Sequence, residues 1–430
     1  MKIAMIGTGY VGLTSGACLA KIGHQVICVD NDREKIELLN KGRVPIYEPG
    51  LNEIIDECVN ARRLSFTTDI KTAVRESEVC FIAVGTPPLE TGEPDLTYVE
   101  NVAREIAESM DGYRLIVEKS TVPVQTGKWI RKTIERYQGK SVPFDVASNP
   151  EFLREGSAVT DFLSPDRIVI GVENERAAEI MLKVYQGIKA PVIVTDLASA
   201  ELIKHASNAF LAMKISFINA ISFICEAAGA DVSQVAEGMG LDKRIGRSFL
   251  DAGVGYGGFC FPKDLRAFIR IAEELGYDFR LLIEVERINE EAKQRFVKKI
   301  RQALWNLRDK NIGVLGLSFK PNTDDIRFAP AIDIIRMLLA DGARIRAYDP
   351  KAMPKARRVL PEEVVFCNNA EEVATDADLL AIITEWDEFK RLDFARIKEK
   401  MRVPIVCDGR NIYDRKELEK LGFTYIGVGR

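Results

Sequence analysis

The first thirty residues, MKIAMIGTGYVGLTSGACLAKIGHQVICVD, restrict the fold more than any other stretch. They read as a strand, a glycine turn, a helix and a second strand that ends in Asp30. Gly7, Gly9 and Gly12 give G-x-G-x-x-G at the strand-to-helix corner. The first permits the tight turn, the second lets a pyrophosphate approach the main chain, and the third lets helix and strand pack closely. A phosphate would then sit on the unpaired N–H groups at the helix N-terminus. Asp30 lies roughly 20 residues beyond the glycines, where a carboxylate would hold the adenosine ribose hydroxyls and repel a 2′-phosphate. NAD is therefore expected over NADP, although Arg33 and Lys35 close by weigh the other way. The competing reading is a glycine turn without a cofactor, and the acidic strand end argues against it.

Further strands are predicted at VCFIAVGTPP, YRLIVEKSTVP, FDVASNP and DRIVIG, with helical patterns between several of them. That alternation requires a parallel, doubly wound α/β sheet, whose ligands bind past the carboxyl ends of the strands. Gly85-Thr86-Pro87, Ser120-Thr121 and Asn149-Pro150-Glu151 stand just past those ends. Each also suits a turn or a helix cap. From about Ala198 the character changes: ASAELIKHASNAFLAMKISFINAISFICEAAGA holds no proline and spaces its apolar residues for a helix. A long, largely buried helix is expected there, serving as spine and as a dimer seam. The block from KNIGVLGLSFKPNTDDIR to ARIRAYDP repeats the opening plan, with the glycines reduced to Gly313 and Gly316, Lys320 past the strand and Asp349 at the second strand end. It reads as a second nucleotide-binding half rebuilt for another phosphate ligand, or else as a structural α/β domain. The expected architecture is two Rossmann-like domains, 1–196 and 301–430, joined by a central helical domain, 197–300.

Bulk properties narrow the function. A net charge of −4 offers no basic field to a nucleic acid backbone. No run is read as reaching the ~18–20 apolar residues that span a bilayer, and the N-terminus reads as strand and turn, not as a signal peptide. Neither a nucleic acid nor a membrane is an expected partner, and a reducing cytosol is the default compartment. Eight cysteines form no C-x-x-C pair and no cluster with the two histidines, so neither a disulfide framework nor a metal site is expected. Acid–base work must fall mainly on Lys, Asp, Glu or Cys.

One cysteine stands apart. In GVGYGGFCFPKD, Pro262 suits the first turn of a helix, which puts Cys260 just ahead of a helix N-terminus with Lys263 beside it. Both features favour a thiolate. Glycines 253, 255, 257 and 258 remove side chains and are expected to let a bulky ligand lie against the main chain. The alternative is a buried, inert thiol after a glycine turn. On the long helix, Lys204 and Asn208 share a face at i and i+4. Together they would make a site for a developing oxyanion, or they are a solvated stripe. His205 and His24 are read as structural or surface residues. A dehydrogenase with a nucleophilic thiol suggests two successive oxidations: alcohol to aldehyde, then a thiohemiacetal to a thioester that water cleaves. Glu151 and Thr121 suit that last step.

GTGYVGL, VGTP, KSTVP, NPEFLREG, KHASNAF, GVGYGGFCFPKD, KPNTDDIR and DGRNIYD occur in this order from end to end. Together they resemble the UDP-glucose 6-dehydrogenase branch of the UDP-glucose/GDP-mannose dehydrogenase family. The resemblance implies oxidation of UDP-glucose to UDP-glucuronate with two NAD reduced per sugar. It implies Cys260 as nucleophile, Lys204 and Asn208 at the oxyanion with Lys204 also accepting a proton, Asp264 and Thr121 organising water, and Glu151 assisting hydrolysis. Cofactor contacts would fall on Gly7, Gly9, Tyr10, Val11, Gly12, Asp30, Lys35, Thr86, Thr121, Glu155, Lys263 and Arg327. Substrate contacts would come from Glu151, Phe152, Leu153, Arg154, Glu155, Lys204, Asn208, Phe249, Leu250, Gly253, Tyr256, Gly257, Lys320 and Arg410. Arg244 would reach the site of a neighbouring subunit, implying a homodimer or higher homo-oligomer. Two positions depart from the family pattern: Asp251, a carboxylate in the sugar-nucleotide loop, and Phe328, where many relatives have glutamate. Competing readings are a sibling enzyme acting on GDP-mannose or an N-acetylated UDP-sugar, a one-step β-hydroxyacid dehydrogenase, and a catalytically silent NAD-binding scaffold.

Overall fold

The strand segments KIAMI, VCFI, LLAI and IVCD are almost continuously apolar. Such segments suit strands covered by helices on both faces, and these are buried nearly throughout. The structure, a computed structural model, describes residues 1–87, 89 and 94–430. It divides into two compact units, Met1–Ser207 with Arg266–Gly276, and Asn208–Leu265 with Tyr277–Arg430.

The first unit is built on strands β1 (Lys2–Ile6), β2 (Gln25–Val29), β3 (Leu64–Thr67), β4 (Val79–Ile82), β5 (Arg114–Glu118), β6 (Phe144–Ser148), β7 (Ile168–Val172) and β8 (Val192–Thr195). Their spatial order is β3-β2-β1-β4-β5-β6-β7-β8, parallel except between β6 and β7. Its first six strands follow the doubly wound dinucleotide-binding order. Leu13, Leu19, Ile55 and Phe81 pack one face, and Ala103, Ile106, Ile116 and Ile130 the other. Ile6 lies opposite both Val29 and Ile82, so β1, β2 and β4 end level. Gly7, Asp30 and Ala83 therefore share one edge.

The second unit holds β9 (Asn311–Leu315), β10 (Arg344–Tyr348), β11 (Val365–Phe366), β12 (Leu379–Ile382), β13 (Ile405–Asp408) and β14 (Thr424–Gly427), in the order β11-β10-β9-β12-β13-β14 and parallel throughout. The repeat of the opening plan is thus a repeat of topology.

The helical stretch is shared between the units. Its helices are Leu197–Ala228, Val232–Gly240, Cys260–Glu274 and Arg280–Leu304, and the first passes from one unit into the other at Asn208. Two expectations about this helix need correction. It is long and apolar enough to cross a membrane by length and composition, so one run does reach that span. Its polar residues meet protein, however: Ser216 donates to the Val285 carbonyl and Asn219 accepts the Gly253 N–H. It is also less buried than expected, with Phe210, Phe217 and Ile224 left 58%, 47% and 62% exposed. A helical pattern predicts an apolar stripe but not which neighbours cover it.

Candidate active site

In the first unit, the glycine turn is shaped by what its neighbours leave room for. Gly7 has φ +103°, and a Cβ on Gly12 would stand 2.0 Å from the Gly7 carbonyl oxygen. A Cβ on Gly9 would meet nothing, so the outer side of the turn is open to a ligand. The helix Tyr10–Lys21 starts at once, and Leu13 is the first residue to donate back to Gly9. The N–H groups of Tyr10, Val11 and Gly12 therefore point out of the helix end. Asp30 accepts from the Thr8 N–H at 2.9 Å, the Thr8 hydroxyl at 2.6 Å, the Asp32 N–H at 3.0 Å and Lys35 Nζ at 3.0 Å. Burial opposes its ionisation, but these donors outweigh burial and hold its carboxyl below the ordinary range. This open turn, bare helix end and charged strand end fit a dinucleotide. Lys35 is engaged by Asp30, which accounts for one of the two cations that weighed toward NADP. Past β4 and β5, the buried Thr86 donates to the Thr121 carbonyl at 2.9 Å, tying the two loops together.

The NPEFLREG turn past β6 carries the charged part of this unit. Lys204 Nζ lies 3.0 Å from Glu151 Oε1, both side chains buried. Glu151 Oε2 accepts the Leu153 N–H at 2.6 Å. The Phe152 ring lies 5.5 Å from Lys204 Nζ and stacks 3.6 Å below Arg167. Arg154 turns outward to Asp161 at 2.6 Å, and Glu155 is half-buried in the same turn. A solvated stripe is excluded for Lys204 and Asn208, because both are buried. The histidines are structural as expected: His205 meets the Val122 carbonyl at 2.7 Å, and His24 the Val184 carbonyl at 2.8 Å.

In the second unit, Cys260 is the first residue of its helix, one position further in than expected. It is partly exposed, whereas the other seven cysteines are buried. Burial pushes the thiols of Cys18, Cys28, Cys80 and Cys407 up to about 12, and those of Cys58, Cys225 and Cys367 upward. One turn beyond Cys260, the buried Lys263 pairs with Asp264 at 2.6 Å. Asp264 in turn accepts from Asn208 Nδ2 at 2.7 Å. The chain Lys263–Asp264–Asn208 fixes the amide of Asn208 at the helix end that carries the thiol.

On the side where a Cβ would stand, the space left by the glycines before Cys260 is taken up by the protein itself. A Cβ on Gly257 would stand 2.3 Å from the Phe328 carbonyl oxygen, and one on Gly253 2.7 Å from the Gly409 carbonyl oxygen. Gly255 and Gly258 are crowded in the same way by Asn289 and Phe319. The loop is also stitched to the protein through Gly253 N–H to Asn219, Val254 N–H to Gly409, Tyr256 N–H to Asn289 and Gly258 N–H to Arg327. The glycines let backbone meet backbone, so that the thiol is presented from a rigid mount.

Other expected substrate residues are spread over this unit. Leu250 and Tyr256 are buried, and the Tyr256 and Phe249 rings lie 5.8 and 6.2 Å from Phe261. Lys320 stands half-buried past β9, its Nζ 5.5 Å from the Phe319 ring. Arg410, past β13, pairs with Glu385 at 2.5 Å. Arg327 pairs with Asp325 and lies 4.3 Å over Phe259. Arg244 is fully outside, on an exposed turn with Asp242. Asp251 turns to Arg247 at 2.6 Å, in keeping with a carboxylate that does not touch phosphate, and Phe328 is exposed with φ +51°.

Several participants were not read from sequence. Glu48 is buried, bonds the Tyr10 hydroxyl and accepts the Gly156 and Ala158 N–H groups at 2.6 and 2.8 Å. Asn219 and Asn289 brace the cysteine loop. Lys119 is buried behind Asn149, donating to its Oδ1 at 3.0 Å, and burial lowers its ammonium to about 8. A cavity of about 100 Å³ beside it is lined by Lys119, Asn149, Glu151, Phe152, Arg154 and Tyr185 among others. The available signal was the run of polar residues at strand ends, which sequence patterning scores as turns. Among the described residues no cluster could hold a metal ion.

Comparison with known proteins adds an independent line. The chain matches the UDP-glucose/GDP-mannose dehydrogenase family in its NAD binding domain over residues 1–189, its central domain over 198–291 and its UDP binding domain over 313–415. It is 49% identical over 429 residues to the UDP-glucose 6-dehydrogenase TuaD of Bacillus subtilis, covering 100% of this chain and 93% of that one. A UDP-glucose 6-dehydrogenase of Rhizobium meliloti is also 49% identical, over 437 residues and 100% of both chains. The solved structure of a UDP-glucose dehydrogenase from the hyperthermophilic archaeon Pyrobaculum islandicum superposes with a TM-score of 0.93 at 42% identity, covering 99% of this chain and 97% of that one.

Proposed function

This chain belongs to the UDP-glucose/GDP-mannose dehydrogenase family, and from that premise we propose that it oxidises UDP-glucose to UDP-glucuronate with NAD, through a covalent sugar on Cys260. The observation that carries the proposal is the setting of that one thiol. It is partly exposed at a helix start beside the Lys263–Asp264–Asn208 chain, while seven other thiols are buried.

NAD, when bound, accepts one hydride at each of the two oxidations. In the first, the primary alcohol of the glucose becomes an aldehyde, and its hydroxyl proton leaves by way of Lys204. The Cys260 sulfur, as thiolate, adds to the aldehyde carbon and forms a C–S bond. Lys204 and Asn208 stabilise the charge that gathers on the former carbonyl oxygen. The thiohemiacetal oxyanion then gives up the second hydride as its C=O bond re-forms, leaving a thioester. Water ordered by Asp264 and Thr121 adds to that carbonyl with Glu151 assisting its deprotonation. The C–S bond breaks, the thiolate leaves, and a carboxylate and a proton are released. Such a covalent stage would keep the aldehyde from being set free between the two steps.

Asp30 and the Gly7–Gly12 turn would hold the adenosine half of NAD, with Lys35, Thr86, Glu155, Lys263 and Arg327 completing the set. Lys320, Arg410 and the Phe249–Gly257 loop would hold the nucleotide sugar, with Phe152, Leu153 and Arg154 at the sugar. Phe210, Phe217 and Ile224 recur every seven residues on one exposed stripe, which supports a homodimer formed along that helix. Arg244, exposed in its own chain, would then serve a neighbour's site. A reactive thiol and seven unpaired buried ones suit a reducing cytosol.

An assay of UDP-glucose, GDP-mannose and a UDP-N-acetylhexosamine, scored by NADH formed per sugar consumed, tests the proposal. Two NADH per UDP-glucose is expected, with the other sugars far slower. One NADH per sugar would favour a one-step dehydrogenase, and no NADH a silent scaffold.

A further inference from the structure

Asn149 is heavily anchored at the mouth of the first sheet. Its N–H donates to the Glu118 carbonyl at 2.8 Å and its Nδ2 to the Val169 carbonyl at 2.8 Å. Its Oδ1 accepts from Lys119 Nζ at 3.0 Å and from the Tyr185 hydroxyl at 2.5 Å, while Nζ also lies 3.4 Å from its carbonyl. The anchors come from β5, from β7 and from just past the helix Glu175–Val184. Pro150 follows with its fixed φ, and Glu151 comes next. The direction in which Glu151 leaves the sheet is therefore set by how Asn149 is gripped.

One of these grips is a buried ammonium. Taking a lysine out of water is costly unless charge and hydrogen bonds compensate. A lysine acting only as a plug would be better replaced by methionine. Among the charged groups acting on Lys119, Glu151 favours its charge most, followed by Glu118 on β5, while Lys204 on the long helix opposes it. Tyr185, 3.4 Å from Nζ, completes the surroundings.

We infer that Lys119 is a positioning residue for Glu151: its buried ammonium, braced by Tyr185, locks the Asn149–Pro150–Glu151 turn so that the carboxylate is held against Lys204. This rests on the two-step reading above and deepens it. Lys119 touches neither sugar nor cofactor in this role. Its effect falls on the hydrolytic step, where Glu151 works, and leaves hydride removal in place. Burial lowers the ammonium to about 8, so the brace is charged at neutral pH and is lost as pH rises through that value.

The test is Lys119→Met, followed by rapid mixing with NAD and UDP-glucose. The expected result is a burst of two NADH per site, then a steady rate at least about tenfold below the parent enzyme. kcat/KM for both substrates should stay within about twofold, so that KM falls together with kcat. Intact-protein mass should show the acylated enzyme accumulating, and the parent's fall in kcat above about pH 8 should vanish from the variant. An unchanged kcat, or a raised KM without accumulated thioester, overturns the inference. If Lys119→Met does not fold, Tyr185→Phe keeps the ammonium on Asn149 and removes the hydroxyl that contacts both the ammonium and Asn149 Oδ1. It should give the same burst with a fall in kcat of about threefold, and an unaltered kcat there also overturns it. A parent enzyme that yields one NADH per sugar would remove the two-step reading itself. A parent that yields two, beside unaffected variants, would remove only Lys119.

Discussion

At the end of β2, Asp30 is a partly accessible carboxylate beside an open glycine turn, and its helix begins three residues past Gly7. At the end of β10, Asp349 occupies the matching place and is sealed in. Its Oδ2 accepts the Leu317 and Ser318 N–H groups, the Ser318 hydroxyl and the indole N–H of Trp386, and its Oδ1 the N–H groups of Lys351 and Ala352. The turn beside it is filled as well, since a Cβ on Gly316 would stand 2.4 Å from Thr384 Cβ. The next helix starts only at Pro330, and the intervening loop carries Lys320, Asp325 and Arg327. One topology thus yields two kinds of ligand site. On the proposed reading, in the first unit the backbone of a helix end would supply the phosphate donors and an acid would read the ribose. In the second the acid is a structural cap, and on the same reading cationic side chains on a long loop would meet the phosphate. An acidic strand end in a doubly wound sheet is a ribose site only where its neighbours leave the carboxylate some reach.

The sharpest way to test this division is in the second unit's loop. Cys260→Ser should cut UDP-glucuronate formation by about a thousandfold or more. NAD affinity, measured by fluorescence titration, should be unchanged. Weakened NAD binding in that variant would break the separation between the units. Next in size, Asp349→Ala should lower unfolding stability by about 3 kcal/mol in a denaturant titration, because several buried N–H groups lose their acceptor. A stable Asp349→Ala enzyme with a raised KM for the nucleotide sugar would erase the contrast with Asp30. Asp30→Ala should raise KM for NAD about tenfold and leave that for UDP-glucose within about twofold. Lys320→Ala should do the reverse by about fivefold, raising KM for the nucleotide sugar more than for NAD. Equal effects on both substrates would mean that the loop past β9 does not read phosphate.

Much of this was legible in the chain. The opening glycines, Asp30 and the alternation of strand and helical patterns gave the doubly wound class of the first sheet, though not the antiparallel step between β6 and β7. Cys260 announced itself by a helix start and a neighbouring lysine. What stayed hidden depends on contacts distant in sequence. The glycines at 253–258 gave no sign in sequence that they also make room for Gly409, Asn289, Phe319 and Phe328. The long helix carries its apolar residues at helical spacing, but pattern alone could not show that Phe210, Phe217 and Ile224 lack cover. Nor could it show that the helical stretch would be divided between two units. Lys119 and Glu48 sit in segments that read as strand end and loop, and only the fold brings them to Asn149 and to Gly156.

The most direct measurement is mass analysis of the Cys260 peptide from turnover mixtures quenched in acid, with NADH counted in the same samples. The account predicts a sugar-nucleotide adduct on that sulfur, two mass units lighter than a simple aldehyde addition once the second NADH has formed. An unmodified peptide at every time point, with UDP-glucuronate still accumulating, would contradict it.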